Sequence, residues 1–566
     1  MKHFNKVISW CNNPVHQYYL FVIVLMVPNL FLFYTEPMEW SVRIAFLFLP
    51  LGLYMTLMDM SRKPGIMVWI LFPLLFLGAF QLVLLYLFGE SIIATDMFLN
   101  LFTTNSTEAL ELLDKLIPSV IGVVILYIPT LVLGCMSIRS SQKLSNRFRR
   151  KMLKIAFLFF AIGAIFTGIA RWTVSDFSIH KDIYPANVVY NIKLAVERWQ
   201  ASERYQLTSK GFTFQASSSH LPEEREVYIM VIGETARAIN FGLYGYERNT
   251  TPGLQHMPNI VYFTDALSQA NATHKSVPIL MSTASAEDYD RMYQEKSIIT
   301  AFKEAGFKTT FFSNQLPNHS FIDFFAEEAD VHEFLKEDPE EALNPYDMEM
   351  VKMVNKFLSA GDKKVFIVLH CYGSHFNYYE RYPEKEAYFK PDKIDKISKQ
   401  TRDRMINAYD NSIRITDRMI TSLIESLKEE TGISALLYTS DHGEDLLDDD
   451  RCRFLHSSPV PTYFQLHVPY ILWVSDSYNQ CYPDILQNAK IHHSSPIMSN
   501  SFFHTMLSVG GIETNYRNDT LSVVNAAFQL TPRCYLDDHN LPLTLDKIGF
   551  KDEDLKMFRK YGLQYP

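Results

Sequence analysis

Five long apolar runs fall in about the first third of the chain, at residues 18–34, 42–60, 66–88, 116–138 and 153–172. Each approaches the roughly 20 residues that a helix needs to cross a bilayer. Inside hydrocarbon a backbone must satisfy its own hydrogen bonds, so runs of this length point to a bundle of membrane-spanning helices. A cleavable leader is the rival reading of the first run, but no small-residue cleavage site follows it and four more runs come after. The remaining residues carry charge throughout and read as a globular domain.

The flanking charges orient the bundle. Lys2 and Lys6 precede the first run, Arg62 and Lys63 follow the second, and Arg139, Lys143, Arg147, Arg149, Arg150, Lys151 and Lys154 lie between the fourth and fifth. Glu36, Glu39, Glu90, Asp96, Glu108, Glu111 and Asp114 occupy the alternate connections. An excess of Lys and Arg marks the cytoplasmic side, which predicts a cytoplasmic amino terminus. With an odd number of crossings, everything after Trp172 falls on the outer side, where disulfides can form. Two further stretches, 89–115 and 184–205, alternate apolar residues with polar ones; each suits either a helix lying in the bilayer interface or an ordinary packed helix.

A net charge of −9 gives no basic surplus, so nucleic acid is excluded as a partner. Six cysteines (Cys11, Cys135, Cys371, Cys452, Cys481, Cys534) form no CxxC pair and no zinc-finger spacing. A disulfide among the last four is left open by their spacing.

In the globular part, Val227 to Ile232 is a β-branched apolar run broken at Gly233 and followed by Glu234 and Thr235. Further strands are predicted at 308–312, 365–369, 435–438 and 470–474, with helices at 347–358 and 402–427 between them. Such alternation predicts a largely parallel sheet covered by helices. Three of the strands run out into metal-type residues: Glu234; His370 and His375; and Ser440-Asp441-His442-Gly443-Glu444. Two carboxylates, an imidazole and a hydroxyl meeting at one sheet edge suit four-coordinate zinc. An alcohol needs a base or a metal to act as a nucleophile at neutral pH, and Thr235 and Thr273 are the two candidates. Thr235 adjoins Glu234, so on a continuing strand its side chain would point the other way. Thr273 precedes the apolar Ile279-Leu280-Met281, where a helix start would favour phosphate, and is the preferred candidate.

The chain resembles the phosphoethanolamine transferases of Gram-negative inner membranes, members of the alkaline phosphatase/sulfatase superfamily that include the lipid A modifiers behind mobile colistin resistance. The motifs are Val231-Ile232-Gly233-Glu234-Thr235-Ala236-Arg237, Thr273 before Ser276-Val277-Pro278, His370 with Gly373-Ser374-His375, Arg381-Tyr382-Pro383, Ser440-Asp441-His442-Gly443-Glu444, and Leu455-His456. The resemblance implies five transmembrane helices over 1–172, bridging helices over 173–222, and an extracytoplasmic α/β catalytic domain over 223–566. It implies zinc on Glu234, Thr273, Asp441 and His442, with Thr273 taking up the phosphoryl group. His375 and His456 match histidines that face the phosphoryl group or a second zinc. The implied donor is phosphatidylethanolamine and the implied acceptor lipid A or lipopolysaccharide core, handled by a monomer in the inner membrane.

Asn314 falls where the family has a polar residue near the substrate; His274, Lys275, His319, His492 and His493 match no family role. Gln269, Ala270 and Ile279 stand where the lipid A modifiers flank their threonine with cysteines, so the family's disulfide framework is mostly absent. That places the chain nearer the branch that modifies core sugars. The competing expectations are a phosphoglycerol transferase similar to lipoteichoic acid synthases, and a membrane scaffold whose outer domain has lost catalysis.

Overall fold

The structure is a computed structural model that describes residues 10–565 apart from 90–91, 104–105, 176, 221–224, 318–319, 337–344 and 395, with 88, 100–103 and 106–115 described by backbone alone. Lys2, Lys6, Glu90 and His319 lie outside the described residues, as do the side chains of Glu108, Glu111 and Asp114. The chain divides into two compact units, one of residues 1–98 with 112–196 and one of 99–111 with 197–566.

The first unit is helical. It contains α1 (Pro14–Thr35), α2 (Trp40–Met58), α3 (Pro64–Ile70), α4 (Phe72–Phe88), α5 (Ser106–Arg139) from residue 112 onward, and α6 (Asn146–Thr173). Four of these are long and apolar enough to cross a membrane, and a fifth crossing is reached if α3 and α4 count as one. The third apolar run is therefore not one straight helix, as expected from hydropathy, but a pair bent by 66°. Pro73 explains the break: it offers no N–H, and its ring would strike the carbonyl of Trp69 if the helix ran on. The closest seam in the bundle joins α2 and α6 through small residues. A Cβ on Gly52 would lie 2.7 Å from the Phe160 backbone nitrogen, and one on Gly163 would lie 2.6 Å from that of Leu49. The 184–205 stretch forms α7 (Ala186–Glu203), which buries Val188 and Ala195 and exposes Val189 and Trp199.

The second unit is built on a seven-stranded sheet of β1 (Glu226–Gly233), β2 (Ile260–Tyr262), β3 (Lys308–Ser313), β4 (Val331–Phe334), β5 (Lys364–His370), β6 (Ile433–Ser440) and β7 (Tyr470–Val474). Their order is β2-β7-β6-β1-β5-β3-β4, and only β7 runs against its neighbours. Alternation along β1 divides its side chains between two cores. Tyr228, Met230 and Ile232 face one, with α8 (Thr273–Met281) and α11 (Ser501–Val509). Val227, Ile229 and Val231 face the other, with α9 (Met348–Leu358) and α10 (Arg402–Glu429). Burial on both faces is why the strand reads as an unbroken apolar run. Each such side chain taken from water contributes about 1.5–3 kcal/mol.

Because β1, β3, β5 and β6 are parallel, their carboxyl ends share one edge, the position that open α/β sheets use for ligands. Tyr205, just past α7, is pinned to this unit: its hydroxyl donates to Glu328 at 2.6 Å, and its ring packs on Phe321, Phe324 and Phe325. No disulfide joins any of the six cysteines, so the bridge left open by their spacing is not formed.

Candidate active site

Glu234 is the first residue beyond β1 and is 1% exposed. Asp441 and His442 follow β6, the neighbour of β1, and are fully buried. Thr273 opens α8 and is half-buried. The fold brings these four together: the Thr273 Oγ1 lies 3.3 and 3.2 Å from the two Glu234 oxygens and 3.2 Å from His442 Nε2. His442 Nε2 is 3.1 Å from Asp441 Oδ2 and 3.6 Å from Glu234 Oε1. Ligands about 2.0 Å from a tetrahedral zinc sit about 3.3 Å from one another, and these spacings between neighbouring groups are of that size.

Hydrogen bonds aim the donors inward. His442 Nδ1 lies 2.9 Å from the Gly443 carbonyl, which places the proton there and leaves Nε2 as a lone-pair donor. Asp441 Oδ1 accepts from the backbone N–H groups of Thr235 and His442 at 3.1 and 2.7 Å, freeing Oδ2 for the centre. Burial, then the adjacent Asp441 carboxylate, pushes the Glu234 carboxyl well above its ordinary range. Burial also drives the His442 imidazole well below its own. Protein groups alone thus leave two buried carboxylates short of positive charge, which a divalent cation would supply. The residues present fit a zinc ion.

The two threonines part company here. Thr235 sits at φ +54°, and its buried hydroxyl has no hydrogen-bond partner among the described residues. Its carbonyl accepts from the Tyr409 hydroxyl at 2.7 Å, so this residue shapes the turn and stays out of the cluster.

A second group stands beside the first. The His456 ring lies 4.3 Å from that of His442 and 5.8 Å from that of His375. Glu234, His442 and His456 present ligand atoms within 4.8 Å of one another. His456 Nδ1 is 3.2 Å from Glu444 Oε1, while Tyr378 donates its hydroxyl to Glu444 Oε2 at 2.8 Å. Leu455 and Ser457, on either side of His456, both have left-handed backbone, at φ +70° and +60°. Left-handed conformations at residues with a Cβ are costly and gather at functional sites. His375 stacks on Tyr372, which lies under the Arg381 guanidinium. Burial, helped by His456 and Arg381, lowers the His375 imidazole to about 3.

Other candidates have other partners. His370 is buried, with Nδ1 3.0 Å from the Ser313 hydroxyl, and is outside the cluster. Asn314 spends its amide on the Pro345 carbonyl and on Asp347, and Asp347 also caps the N–H groups of Tyr372 and Gly373. That network carries the turn leading to His375, so Asn314 supports a loop here. Lys275 is buried and donates to the Asp537 carbonyl at 2.8 Å. The Tyr289 hydroxyl donates to the His274 carbonyl. His492 Nδ1 lies 2.9 Å from the Val523 carbonyl, and the His493 carbonyl accepts from Thr264.

Sequence reading passed over Gln315 and gave Glu444 no task. Gln315 Nε2 donates to Glu234 Oε2 at 3.0 Å and to the Cys371 carbonyl at 2.9 Å. Glu444 stands inside a motif already noticed, two residues past His442, which was the available signal.

Residues 226–512, a little over half of the chain, match the sulfatase family. The chain belongs to that family. Among curated relatives of this sulfatase-family chain, the Kdo(2)-lipid A phosphoethanolamine 7''-transferase of Escherichia coli strain K12 is 33% identical over 276 residues, 48% of this chain and 47% of that protein. The chain spans about half the length of the curated relatives it matches. The lipooligosaccharide phosphoethanolamine transferase A from Neisseria meningitidis superposes with a TM-score of 0.70 at 23% identity, over 89% of this chain and 97% of that one, and so shares the fold. The C-terminal periplasmic domain of EcEptC from Escherichia coli, solved in complex with Zn, superposes with a TM-score of 0.54 at 24% identity, over 60% of this chain and 97% of that one.

Proposed function

We propose that this sulfatase-family chain is a zinc-dependent phosphoethanolamine transferase that moves the headgroup of phosphatidylethanolamine to lipid A or lipopolysaccharide core. The observation that carries the reading is the Thr273 hydroxyl, at the start of a helix and within 3.3 Å of both Glu234 and His442. The phosphoethanolamine transferases among its relatives supply the group to be moved. Zinc held by Glu234, Thr273, Asp441 and His442 would lower the pKa of the alcohol and offset charge on phosphoryl oxygens.

The chain's own groups would do the rest. Thr273, its hydroxyl proton released to solvent before the attack, joins phosphorus through Oγ as the bond to the diacylglycerol oxygen breaks, and the start of α8 favours the anionic phosphoryl group. His456, held at Nδ1 by Glu444, delivers a proton to the departing diacylglycerol oxygen from its other ring nitrogen. In the second half the acceptor oxygen attacks the same phosphorus, its proton passes to a site histidine, and Thr273 leaves. His375 belongs to the phosphoryl-facing side of this arrangement, with His456 as its partner in any second metal site.

In this reading residues 1–172 anchor the protein in the inner membrane with a cytoplasmic amino terminus, 173–222 form the bridge, and 223–566 act as a monomeric periplasmic catalyst. The test is intact-protein mass after incubation with phosphatidylethanolamine. A phosphoethanolamine adduct should form on the wild type and on Thr235→Ala and be absent from Thr273→Ala; an adduct that survives Thr273→Ala sinks the assignment. Mass spectra of lipid A and core oligosaccharide from cells with and without the protein should then identify the acceptor.

A further inference from the structure

Gln315 lies just beyond the end of β3, two strands from β1, yet its side chain reaches the metal-type cluster. Both hydrogens of its amide are committed: one to Glu234 Oε2 at 3.0 Å, the other to the Cys371 carbonyl at 2.9 Å. That fixes which way the amide faces, because the flipped form would set its oxygen against two acceptors. The reference point is itself held, since the Cys371 N–H donates to the Ile232 carbonyl of β1 at 2.9 Å. The Gln315 backbone N–H donates to Ser313 Oγ at 3.1 Å, so the base of the side chain is tied down as well.

The consequence falls on Glu234. Its two oxygens differ in two of their three neighbours: Oε2 accepts the amide hydrogen and Oε1 approaches His442 Nε2 at 3.6 Å, while the Thr273 hydroxyl lies near both, at 3.2 and 3.3 Å. A carboxylate with one oxygen hydrogen-bonded to a fixed donor presents the other to a metal. We propose that Gln315 is a positioning residue that holds Glu234 as a one-oxygen metal ligand, a role that rests on reading Glu234 as a ligand. Without the amide, the carboxylate is free to turn and offer both oxygens or neither.

The test uses the purified full-length protein in detergent, stripped of metal and titrated with zinc against a chromophoric chelator. Gln315→Ala and Gln315→Met should each bind zinc about 10- to 100-fold more weakly than wild type. The methionine variant keeps the length and bulk of the side chain, so its metal-free melting temperature should match wild type, separating lost orientation from lost packing. Substituted with cobalt(II), wild type should show the intense visible bands of a four-coordinate ion, and both variants should lose intensity as coordination changes. Zinc affinity within about threefold of wild type and an unchanged cobalt spectrum in both variants would overturn the proposal, since a group that hydrogen-bonds a metal ligand normally matters more than that. Glu234→Ala is the separate arm: if it too keeps wild-type affinity, the reading of Glu234 as a ligand fails and takes this role with it.

Discussion

In the proposed function His456 transfers protons, which requires one nitrogen to be held so that the other is ready, and Glu444 lies 3.2 Å from its Nδ1. Glu444→Gln should lower kcat about 10- to 100-fold with little change in KM, because the tautomer of His456 is no longer fixed. Equal losses in zinc content would instead make Glu444 part of the metal site. His370 makes a different prediction. Burial holds it near 3 in the fold, below the ordinary value of 6.5. As pH falls, the unfolded chain takes up this proton first, so the stability from neutral His370 is complete above pH 6.5 and lost from there toward about pH 3. The expected slope is about 1.4 kcal/mol per pH unit for such a group. His370→Leu should therefore melt with a shallower dependence between pH 7 and 4 than wild type, and parallel curves would show that His370 does not titrate on unfolding. At this scale the sequence was informative about strand-end residues, because Glu234, Asp441 and His442 come within a few residues of the ends of apolar runs. Gln315 and Glu444 were silent because their value lies in hydrogen bonds to Glu234 and His456, partners set by tertiary folding.

Elements show the same division. Strands β1, β3, β5, β6 and β7 were legible as apolar runs because each is buried along nearly its whole length. β2 has three residues and β4 is mostly exposed, so neither carries a run, and both are held by their neighbour's backbone. The 66° bend between α3 and α4 escaped a reading by hydropathy, which registers apolar character and ignores a missing N–H at Pro73. The turn after β5 offers a sharper test. Gly373 is at φ +53°, and a Cβ there would lie 2.6 Å from the Glu234 carbonyl oxygen and 2.8 Å from its nitrogen. Gly373→Ala must push two backbones apart, so it should cut zinc binding and activity together while the remote cores keep the domain folded by circular dichroism. Normal zinc content would show that the turn yields without moving Glu234.

For the molecule as a whole, the orientation argument gives a simple expectation: a reporter active only in the cytoplasm, fused after Pro566, should be silent, and strong activity would overturn the topology. Six cysteines without a disulfide among them give another. Denatured without reductant, the protein should react with six equivalents of a thiol reagent, and replacing Cys452, Cys481 and Cys534 with serine should leave transfer measurable. The strand order also bears on how the chain is made. β1 sits between β5 and β6, and its Gly233 faces Ser440, a residue about two hundred positions later in the chain. At the usual 5–20 residues per second, the central strand waits about 10–40 s after synthesis before its second flank exists. For that interval Val227 to Ile232 is an apolar strand with an open edge, the kind of segment that pairs with a neighbouring chain. Output of this protein should thus be limited by how well the emerging chain is shielded as it leaves the membrane, and slow synthesis past residue 370 should increase aggregation even though the finished domain is well packed.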